Sequence, residues 1–487
     1  MDRSYRIVLT ALLGAAVFSF WMWLYPQALN YQEQNQLFLF TWSYLGGRLA
    51  LPGGFADGVS EFLVQLFYVR WAGALVHALL AVLLQLSVWK AARCVNKEGN
   101  RGLYALSFLP SLLMLVHLGD VDVIMSYPVA VLIAVSLCPL FAKAGWHRLW
   151  LIPLGWWLVG PVIAVPVLFS CLRGRRWADW AVLAWLVPVF FAQYRLLAAQ
   201  YPPRDALFGL NYYRLVETLP ALQVVIPAVT LLCIFLCGLS ARWRFPRFAD
   251  AVLAVVLAAG AWIGVSLSYS KDTYEVLAYD WLIRNERYQD VIKRAEKYQP
   301  RNEVSACSVN FCLFMNGELG SRLTQFYQCG TRGLVLPSIR DNLSDITSSE
   351  LLWMMGMPNI TLQYSFDLQE SIQNGRKSGR FMSRIAQCNI VNGWYDRAVR
   401  YLDMLEHSLF YRKWAQEQKA MIQDESRVAA DPVYAYIRQV RFKDDFITVY
   451  GSLDLMMAIL YNQNRNNFMA AEYYGAWRRL KQWEGEK

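Results

Sequence analysis

Long apolar runs separated by short loops that carry arginine and lysine fill the first 270 residues, and they constrain the fold more than any other feature. An apolar run of about 18 residues or more predicts a membrane-spanning helix, because about 20 helical residues cross the hydrocarbon core of a bilayer. Hydrophobic side chains make up 56% of the chain, which excludes an ordinary soluble protein. The eight candidate runs are Ile7–Tyr25, Trp71–Trp89, Leu103–Leu118, Val123–Ala142, Leu149–Leu172, Ala178–Ala199, Pro220–Leu239 and Ala249–Ser268.

The basic loops predict which side of the membrane each connection occupies, because arginine and lysine favour the cytoplasmic side. Arg3 and Arg6 place the N-terminus inside, and the loops after the second and fourth runs are also basic. Eight alternating spans would then put the arginine cluster 173–176 outside, against this preference. The run before this cluster, Leu149–Leu172, contains three prolines, which interrupt helices. We therefore predict that this run is a re-entrant or shallow hairpin, which membranes tolerate where protein shields the backbone.

With that hairpin the fold has about seven full spans, and 14 of the 19 basic residues before Tyr269 are cytoplasmic. The C-terminal region is then outside. The alternative is eight full spans with a cytoplasmic C-terminal region. The basic inner loops and the absence of an organelle-targeting pattern favour a bacterial inner membrane, with the first run kept as an uncleaved anchor and the C-terminal region in the periplasm.

Charge and motifs exclude several classes of protein. Most of the net charge of +10 belongs to the first 270 residues, so it indicates topology and contact with the lipid bilayer rather than nucleic acid. There is no Walker loop, no GxGxxG after a strand and no GxSxG. Four histidines and no CxxC pair make a zinc site improbable. Cys307, Cys312, Cys329 and Cys388 would face an oxidising compartment, and their three pairings stay open.

Two groups of acidic residues lie on the outer side under this topology. Glu33 belongs to the polar stretch YQEQNQ, at the start of a long first outer loop, residues 26–70. Asp120 and Asp122 lie in the short connection between the third and fourth runs. Carboxylates two residues apart can share a proton or a divalent cation such as Mg²⁺ or Mn²⁺. The simpler interpretations are a solvated span end for Glu33 and a hydrated turn for the two aspartates.

These positions resemble the GT-C superfamily of membrane glycosyltransferases, which use polyprenyl-phosphate-linked sugars. That superfamily has an acidic residue in a long first outer loop, often a second one in the next outer loop, and often an extracytoplasmic C-terminal domain. Glu33 matches the first position by location, and Asp120 or Asp122 matches the second. The resemblance covers residues 1–270 and is architectural, and the usual first-loop residue is an aspartate. The chain also looks like an uncharacterised Bacteroidota family of multi-span proteins with a helical C-terminal region, which implies no reaction.

The glycosyltransferase resemblance implies roles for three kinds of residue. A carboxylate would deprotonate the acceptor hydroxyl, and arginine or a metal ion held by Asp120 and Asp122 would stabilise the leaving phosphate. The candidate catalytic residues are Glu33, Asp120 and Asp122, the candidate phosphate-binding residues are Arg195, Arg204 and Arg214, and the candidate sugar-stacking residues are Tyr212 and Tyr213. Interfacial arginines commonly only extend to the headgroups, and tyrosines at this depth are commonly belt residues.

Residues 271–487 predict helices joined by short turns, so the whole chain is all-α. Helix pairs with aromatic residues at helical spacing recur at irregular intervals, which predicts a degenerate tetratricopeptide-like repeat domain that binds a protein or peptide partner. Pro337–Glu350 is expected to be an irregular connection.

The leading functional prediction is transfer of a sugar from a polyprenyl-phosphate donor to an extracytoplasmic acceptor. The alternative is a non-catalytic membrane scaffold whose helical-repeat domain binds envelope proteins. A transporter ranks third, because few ionisable residues, Arg195 among them, lie within the predicted spans. Neutralising substitutions of Glu33, Asp120 and Asp122 distinguish the transferase from the scaffold, since only a transferase requires these carboxylates.

Overall fold

The chain is all-helical in the residues that its computed structural model describes, which are 3–96, 103–174, 177–215, 218–242, 245, 247–336, 342–372, 375–442 and 453–485. Within these ranges there is no β-strand, and a single isolated antiparallel bridge pairs Val123 with Tyr213. The chain divides into two compact units, Met1–Ser270 and Lys271–Lys487.

The N-terminal unit consists of long apolar helices with shorter helices between them. Its described helices are α1 (Arg3–Ser19), α2 (Pro26–Gln34), α3 (Trp42–Leu49), α4 (Gly54–Val64), α5 (Arg70–Val95), α6 (Leu109–His117), α7 (Ser126–Phe141), α8 (Arg148–Val159), α9 (Ala164–Gly174), α10 (Trp177–Ala184), α11 (Leu186–Leu197), α12 (Pro203–Phe208), α13 (Ala221–Ser240) and α14 (Arg247–Ser268).

Six helical segments of this unit are long and apolar enough to cross a membrane. They are Arg3–Leu24, Arg70–Val95, Gly145–Gly174, Asp179–Leu197, Ala221–Ser240 and Phe248–Ser268. The runs predicted at Leu103–Leu118 and Val123–Ala142 form shorter apolar helices, Ala105–His117 and Ser126–Phe141. They are shorter because residues 118–125 leave the helix to form the acidic loop. Many residues of α7 are buried within the unit.

The proline-rich segment Gly145–Gly174 is not one straight helix. Helix α8 ends at Gly160, whose φ of 67° and ψ of −149° are accessible almost only to glycine. A 3₁₀ turn follows, and α9 then runs back, since Arg148 Nη1 donates to Ser170 Oγ at 3.3 Å. A continuous helix would hold residues 148 and 170 about 33 Å apart at about 1.5 Å per residue. The segment therefore reverses at Gly160.

Contacts between loops define two ends of the N-terminal unit. At the first end, which we name the Arg173 end, the Arg173 guanidinium donates to the carbonyl oxygens of Cys94 at 2.8 Å and Ala142 at 3.2 Å. The Leu103 amide donates to Ser240 Oγ at 2.9 Å, so α13 also ends there.

The opposite end, which we name the Asp120 end, joins the loop after α6 to the loop before α13. Tyr213 donates to Asp120 at 2.8 Å across these two loops. Helix α14 finishes at this end, since Ser268 Oγ donates to the Val116 carbonyl at 2.7 Å. Residues 118–125, residues 198–215 and the end of α14 therefore share one end of the unit.

The C-terminal unit is a series of short helices in which most consecutive members pack side by side. Its described helices are α15 (Lys271–Arg284), α16 (Tyr288–Lys297), α17 (Glu303–Met315), α18 (Leu319–Arg322), α19 (Asn342–Met354), α20 (Pro358–Glu370), α21 (Gly379–Val391), α22 (Tyr395–Glu406), α23 (Arg412–Met421), α24 (Glu425–Ala430), α25 (Pro432–Val440), α26 (Leu453–Gln463) and α27 (Phe468–Gly485). Buried Tyr279, Cys312 and Tyr473 belong to its core.

One sequence expectation for this unit is wrong. Of the predicted irregular connection Pro337–Glu350, residues 337–341 lie outside the described residues, and the rest belongs to helix α19, Asn342–Met354. The buried face of this helix includes Ile346, Leu351 and Trp353, so tertiary packing overrides the weak helical pattern of its serine- and threonine-rich start.

The nine cysteines are free thiols, including Cys307, Cys312, Cys329 and Cys388, whose pairing the sequence left open. Three of these four are buried. Burial raises the pKa of the Cys307 thiol to about 12, so it remains protonated at neutral pH and acts as a small apolar core group.

Candidate functional site

The YQEQNQ stretch forms the end of α2 and is buried. Proline at the first helical position, Pro26, starts this helix with its fixed φ. The Glu33 side chain is only 4% exposed, although carboxylates are almost never fully buried unless they have partners. Gln32 and Gln36 are equally buried, and in the described residues Gln32 Oε1 and Gln36 Nε2 have no hydrogen-bond partner. The stretch is thus a buried polar cluster and not a solvated span end.

The acidic loop pairs with the segment 212–214 through backbone hydrogen bonds. The Ile124 amide donates to the Tyr212 carbonyl at 3.0 Å, and the Arg214 amide donates to the Asp122 carbonyl at 2.9 Å. Asp120 closes its own turn, because its Oδ1 accepts from the Asp122 amide at 3.0 Å. This pairing brings together two loops that lie about 90 residues apart in the sequence.

Side chains of the same two loops also meet. The Tyr213 hydroxyl donates to Asp120 Oδ2 at 2.8 Å, and Arg214 Nη1 lies 3.7 Å from Asp122 Oδ1. Burial, followed by the hydrogen bond and the charge of Asp120, raises the pKa of Tyr213, so its hydroxyl stays protonated and remains a donor. Asp120, Asp122, Tyr213 and Arg214, which the sequence suggested separately, are therefore neighbours.

Arg214 links this cluster to the first outer loop. Its Nη1 also donates to the Tyr31 hydroxyl at 2.6 Å, and Tyr31 lies on α2, two residues before Glu33. The Arg214 side chain is 10% exposed, so this bridge is largely shielded from solvent. The two acidic regions that the sequence placed on one face are thus joined through a single guanidinium.

The other suggested residues lie differently. Tyr212 is 4% exposed, its hydroxyl donates to the Val159 carbonyl beside Gly160, and its ring packs against Tyr127. This burial makes Tyr212 a packing residue at the tip of the α8–α9 hairpin, whereas Tyr213 is half-buried and contacts Asp120. Arg195 and Arg204 are exposed side chains on α11 and α12, outside the buried bridge.

A second buried polar group lies beside the first and was missed as a site from the sequence. Arg48 Nε on α3 is 3.1 Å from Glu61 Oε2 on α4, with both side chains below 10% exposure, and the Tyr44 hydroxyl donates to Glu61. Asn211, next to Tyr212, donates to Asp57, which lies one helical turn before Glu61. The spacing of Asp57 and Glu61 was a visible signal, whereas nothing in the sequence marked Arg48 as their partner.

In their observed arrangement, Asp120 and Asp122 do not form a binding site for a divalent cation. Both oxygens of Asp120 already accept hydrogen bonds, from the Asp122 amide and from Tyr213, and Asp122 faces the Arg214 guanidinium. A survey of the described residues finds no group of three histidine, cysteine, aspartate or glutamate side chains with metal-binding geometry. The positive charge in this cluster comes from Arg214.

The fold and site define a polytopic α-helical membrane protein with buried polar clusters at one end of its apolar helices. The chain belongs to the family of unknown function DUF6057, whose model matches residues 3–482. A search of the curated proteins and a search of the solved structures return no match. The description of the matched family names no function and implies no reaction.

Proposed function

We propose that the protein is a GT-C-like glycosyltransferase of a bacterial inner membrane, which transfers a sugar from a polyprenyl-phosphate donor to an extracytoplasmic acceptor. The observation that carries the proposal is the Arg214 bridge, since it links Tyr31 to Asp122 and so joins the segment of Glu33 to the acidic loop. A largely buried cation beside a half-buried carboxylate at one end of apolar helices suits an anionic lipid-linked substrate.

The orientation rests on the distribution of charge. Basic side chains such as Lys90, Arg93 and Lys143 lie towards the Arg173 end, which the positive-inside rule assigns to the cytoplasm. The Asp120 end is then extracytoplasmic, together with the end of α14. On this assignment the C-terminal unit is periplasmic, the α8–α9 hairpin is re-entrant and α1 has its N-terminus in the cytoplasm.

In the proposed reaction, the acceptor hydroxyl oxygen attacks the anomeric carbon of the donor sugar. The bond between that carbon and the phosphate oxygen breaks, and the polyprenyl phosphate leaves with the electron pair. Glu33, shielded from water, takes the hydroxyl proton as general base. Arg214 stabilises the negative charge on the leaving phosphate, and Tyr213 contacts the sugar.

The test is turnover by the full-length protein in liposomes. Synthetic polyprenyl-phosphate monosaccharides serve as donors, extracted envelope glycans serve as acceptors, and release of polyprenyl phosphate is followed by mass spectrometry. We expect Glu33→Gln to lower the rate by about 100-fold or more, the usual contribution of a general base. Asp205→Asn, a carboxylate on helix α12 of the outer loop 198–220, is the matched control and should keep the wild-type rate.

Two results would contradict the proposal. One is a wild-type rate in Glu33→Gln protein whose thermal unfolding midpoint is also unchanged. The other is absence of release from every donor by wild-type protein. The second result favours the scaffold alternative, in which the packed helices α15–α27 form a repeat domain that binds envelope proteins.

A further inference from the structure

A concave site lies between α1 and α5, towards the Arg173 end of the N-terminal unit. It is a groove of about 490 Å³, within the range of small-molecule sites. Arg3, Arg6 and Arg93 line one end of it, and Trp89 lies beside them. The remaining walls are mostly apolar and small, with Ile7 among them. None of these residues belongs to the acidic cluster.

The groove has the length of one membrane leaflet. The two helices touch at its far end, where a Cβ on Gly14 would lie 3.1 Å from Val82 Cγ2. Gly14 is 11 residues from Arg3, or about 16 Å along the helix at about 1.5 Å per residue. The hydrocarbon core of a bilayer is about 30 Å thick, so the groove runs from one membrane surface to about the midplane.

The charge in the groove is of one sign. Three arginines line it, and no acidic side chain of the described residues does. The Arg6 guanidinium lies 5.9 Å from the Trp89 ring centroid, a cation–π contact that holds it at the groove. Asp250, the carboxylate that contacts α1 through Tyr5, accepts from the Tyr5 hydroxyl at 3.1 Å and the Ala105 amide at 2.9 Å, so it is already engaged.

The sides of the groove open towards the surroundings of the helices. Ile7 is 58% exposed and Leu86 is 42% exposed, and both are apolar. In a membrane such side chains face hydrocarbon, so a lipid chain enters this groove from the side without crossing water. A free phosphate ion would fill only the arginine end and leave the apolar length unused.

We propose that this groove binds one anionic phospholipid, whose phosphate pairs with Arg3, Arg6 and Arg93 and whose acyl chain lies along α1 and α5 as far as Gly14. Basic sites between membrane helices on the cytoplasmic side bind anionic headgroups in this way. The inference goes beyond the proposed transferase activity and uses none of its residues, so either stands if the other fails.

The test is native mass spectrometry of the full-length protein in detergent, titrated with phosphatidylglycerol, with phosphatidylcholine or with inorganic phosphate. We expect a single phosphatidylglycerol adduct and little phosphatidylcholine. Replacing Arg3, Arg6 and Arg93 together by glutamine should lower the affinity at least tenfold. The matched control replaces three exposed basic residues that do not line the groove by glutamine, namely Lys90, Lys143 and Arg242. This control should change the affinity for phosphatidylglycerol less than twofold.

A second variant tests the apolar part of the site. Ala11→Trp fills the groove and keeps all three arginines, so it should weaken phosphatidylglycerol binding and leave any binding of inorganic phosphate unchanged. Ala11→Trp also tests lipid binding in the groove if the triple arginine variant does not fold. Three results would overturn the proposal. They are an equal loss of phosphatidylglycerol affinity in the two triple variants, equal binding of phosphatidylglycerol and phosphatidylcholine, and normal phosphatidylglycerol binding by Ala11→Trp.

Discussion

Arg148 donates a hydrogen bond to Ser170, and this contact joins the two ends of the α8–α9 hairpin. The same guanidinium donates to Asp179 at 2.6 Å, so the start of the next apolar segment lies there as well. On the proposed topology, the segment does not change the side of the membrane on which the following loops lie, because the chain enters and leaves the hairpin at one end of the unit. The side of the C-terminal unit depends on this reversal.

The first prediction concerns topology and uses single cysteines in a cysteine-free background with a membrane-impermeant thiol reagent. Trp177 is 84% exposed and follows the hairpin, and Arg400 is exposed on α22. We expect Arg400→Cys and Asp205→Cys to react from outside intact cells. Trp177→Cys and Lys143→Cys should react only after the membrane is opened. Eight full spans predict the reverse result at positions 177, 205 and 400.

Sequence patterns predicted the apolar helices because a membrane span needs only local composition and length. The reversal in Leu149–Leu172 was predicted because a continuous span would put Arg173 on the wrong side and because prolines interrupt helices. The change in composition near Tyr269 lies at the boundary between the two compact units. In each case the signal lies in composition and order along the chain and needs no knowledge of contacts between distant residues.

The candidate site depends on contacts between distant residues, so the sequence indicated its members but not their arrangement. Asp120 and Tyr213 are 93 residues apart, and Arg214 and Tyr31 are 183 apart. Loop pairing of this kind follows from how the helices pack. For the same reason the partner of Glu61 was not predictable, and Tyr212, grouped with Tyr213 on residue type alone, turned out to be buried.

The second prediction is that Gly160 is required for the hairpin. Its backbone conformation is one that residues with a Cβ avoid, and the Tyr212 hydroxyl lies 3.1 Å from the position of an added Cβ. We expect Gly160→Ala to destabilise the protein by about 1–3 kcal/mol, measured as a lower thermal unfolding midpoint in detergent. Gly47→Ala is the control, since its Cβ meets no atom within 4 Å, and it should not lower the midpoint. Equal midpoints for the two variants would contradict the prediction.

The third prediction concerns the buried pair Arg48 and Glu61. Removing one partner leaves an uncompensated buried charge, which typically costs about 3–5 kcal/mol. We expect Arg48→Met alone to lower the unfolding midpoint strongly. The double variant Arg48→Met/Glu61→Gln should be more stable than Arg48→Met, because no buried charge is left alone. Additive losses in the double variant would mean that the two side chains do not stabilise each other. Asp290→Asn, in an exposed pair with Arg287, should cost at most about 1 kcal/mol.

The fourth prediction concerns acid stability and a largely buried ion network in the C-terminal unit. Arg380 donates to both oxygens of Asp280 at 2.9 Å and to Glu350 at 2.9 Å, and Arg384 donates to Glu350 at 2.5 Å. Burial raises the pKa of Glu350, but Arg384 and Arg380 together outweigh it and lower this pKa to about 2. The folded-state pKa is thus below the ordinary value of 4.5.

A carboxyl group with a depressed pKa stabilises the fold above its unfolded-state pKa, and this stabilisation is lost as the pH falls towards the folded-state value. Here the loss between about pH 6 and about pH 3 amounts to about 2 kcal/mol. Urea unfolding of the full-length protein at both pH values, followed by tryptophan fluorescence, measures it. Glu350→Gln should lower stability at pH 6 and reduce the pH dependence by about that amount. The control is Glu296→Gln, in an exposed pair with Arg322, which should leave the pH dependence of stability unchanged. The same change of stability with pH in wild type and Glu350→Gln would show that the arginines do not hold Glu350 ionised.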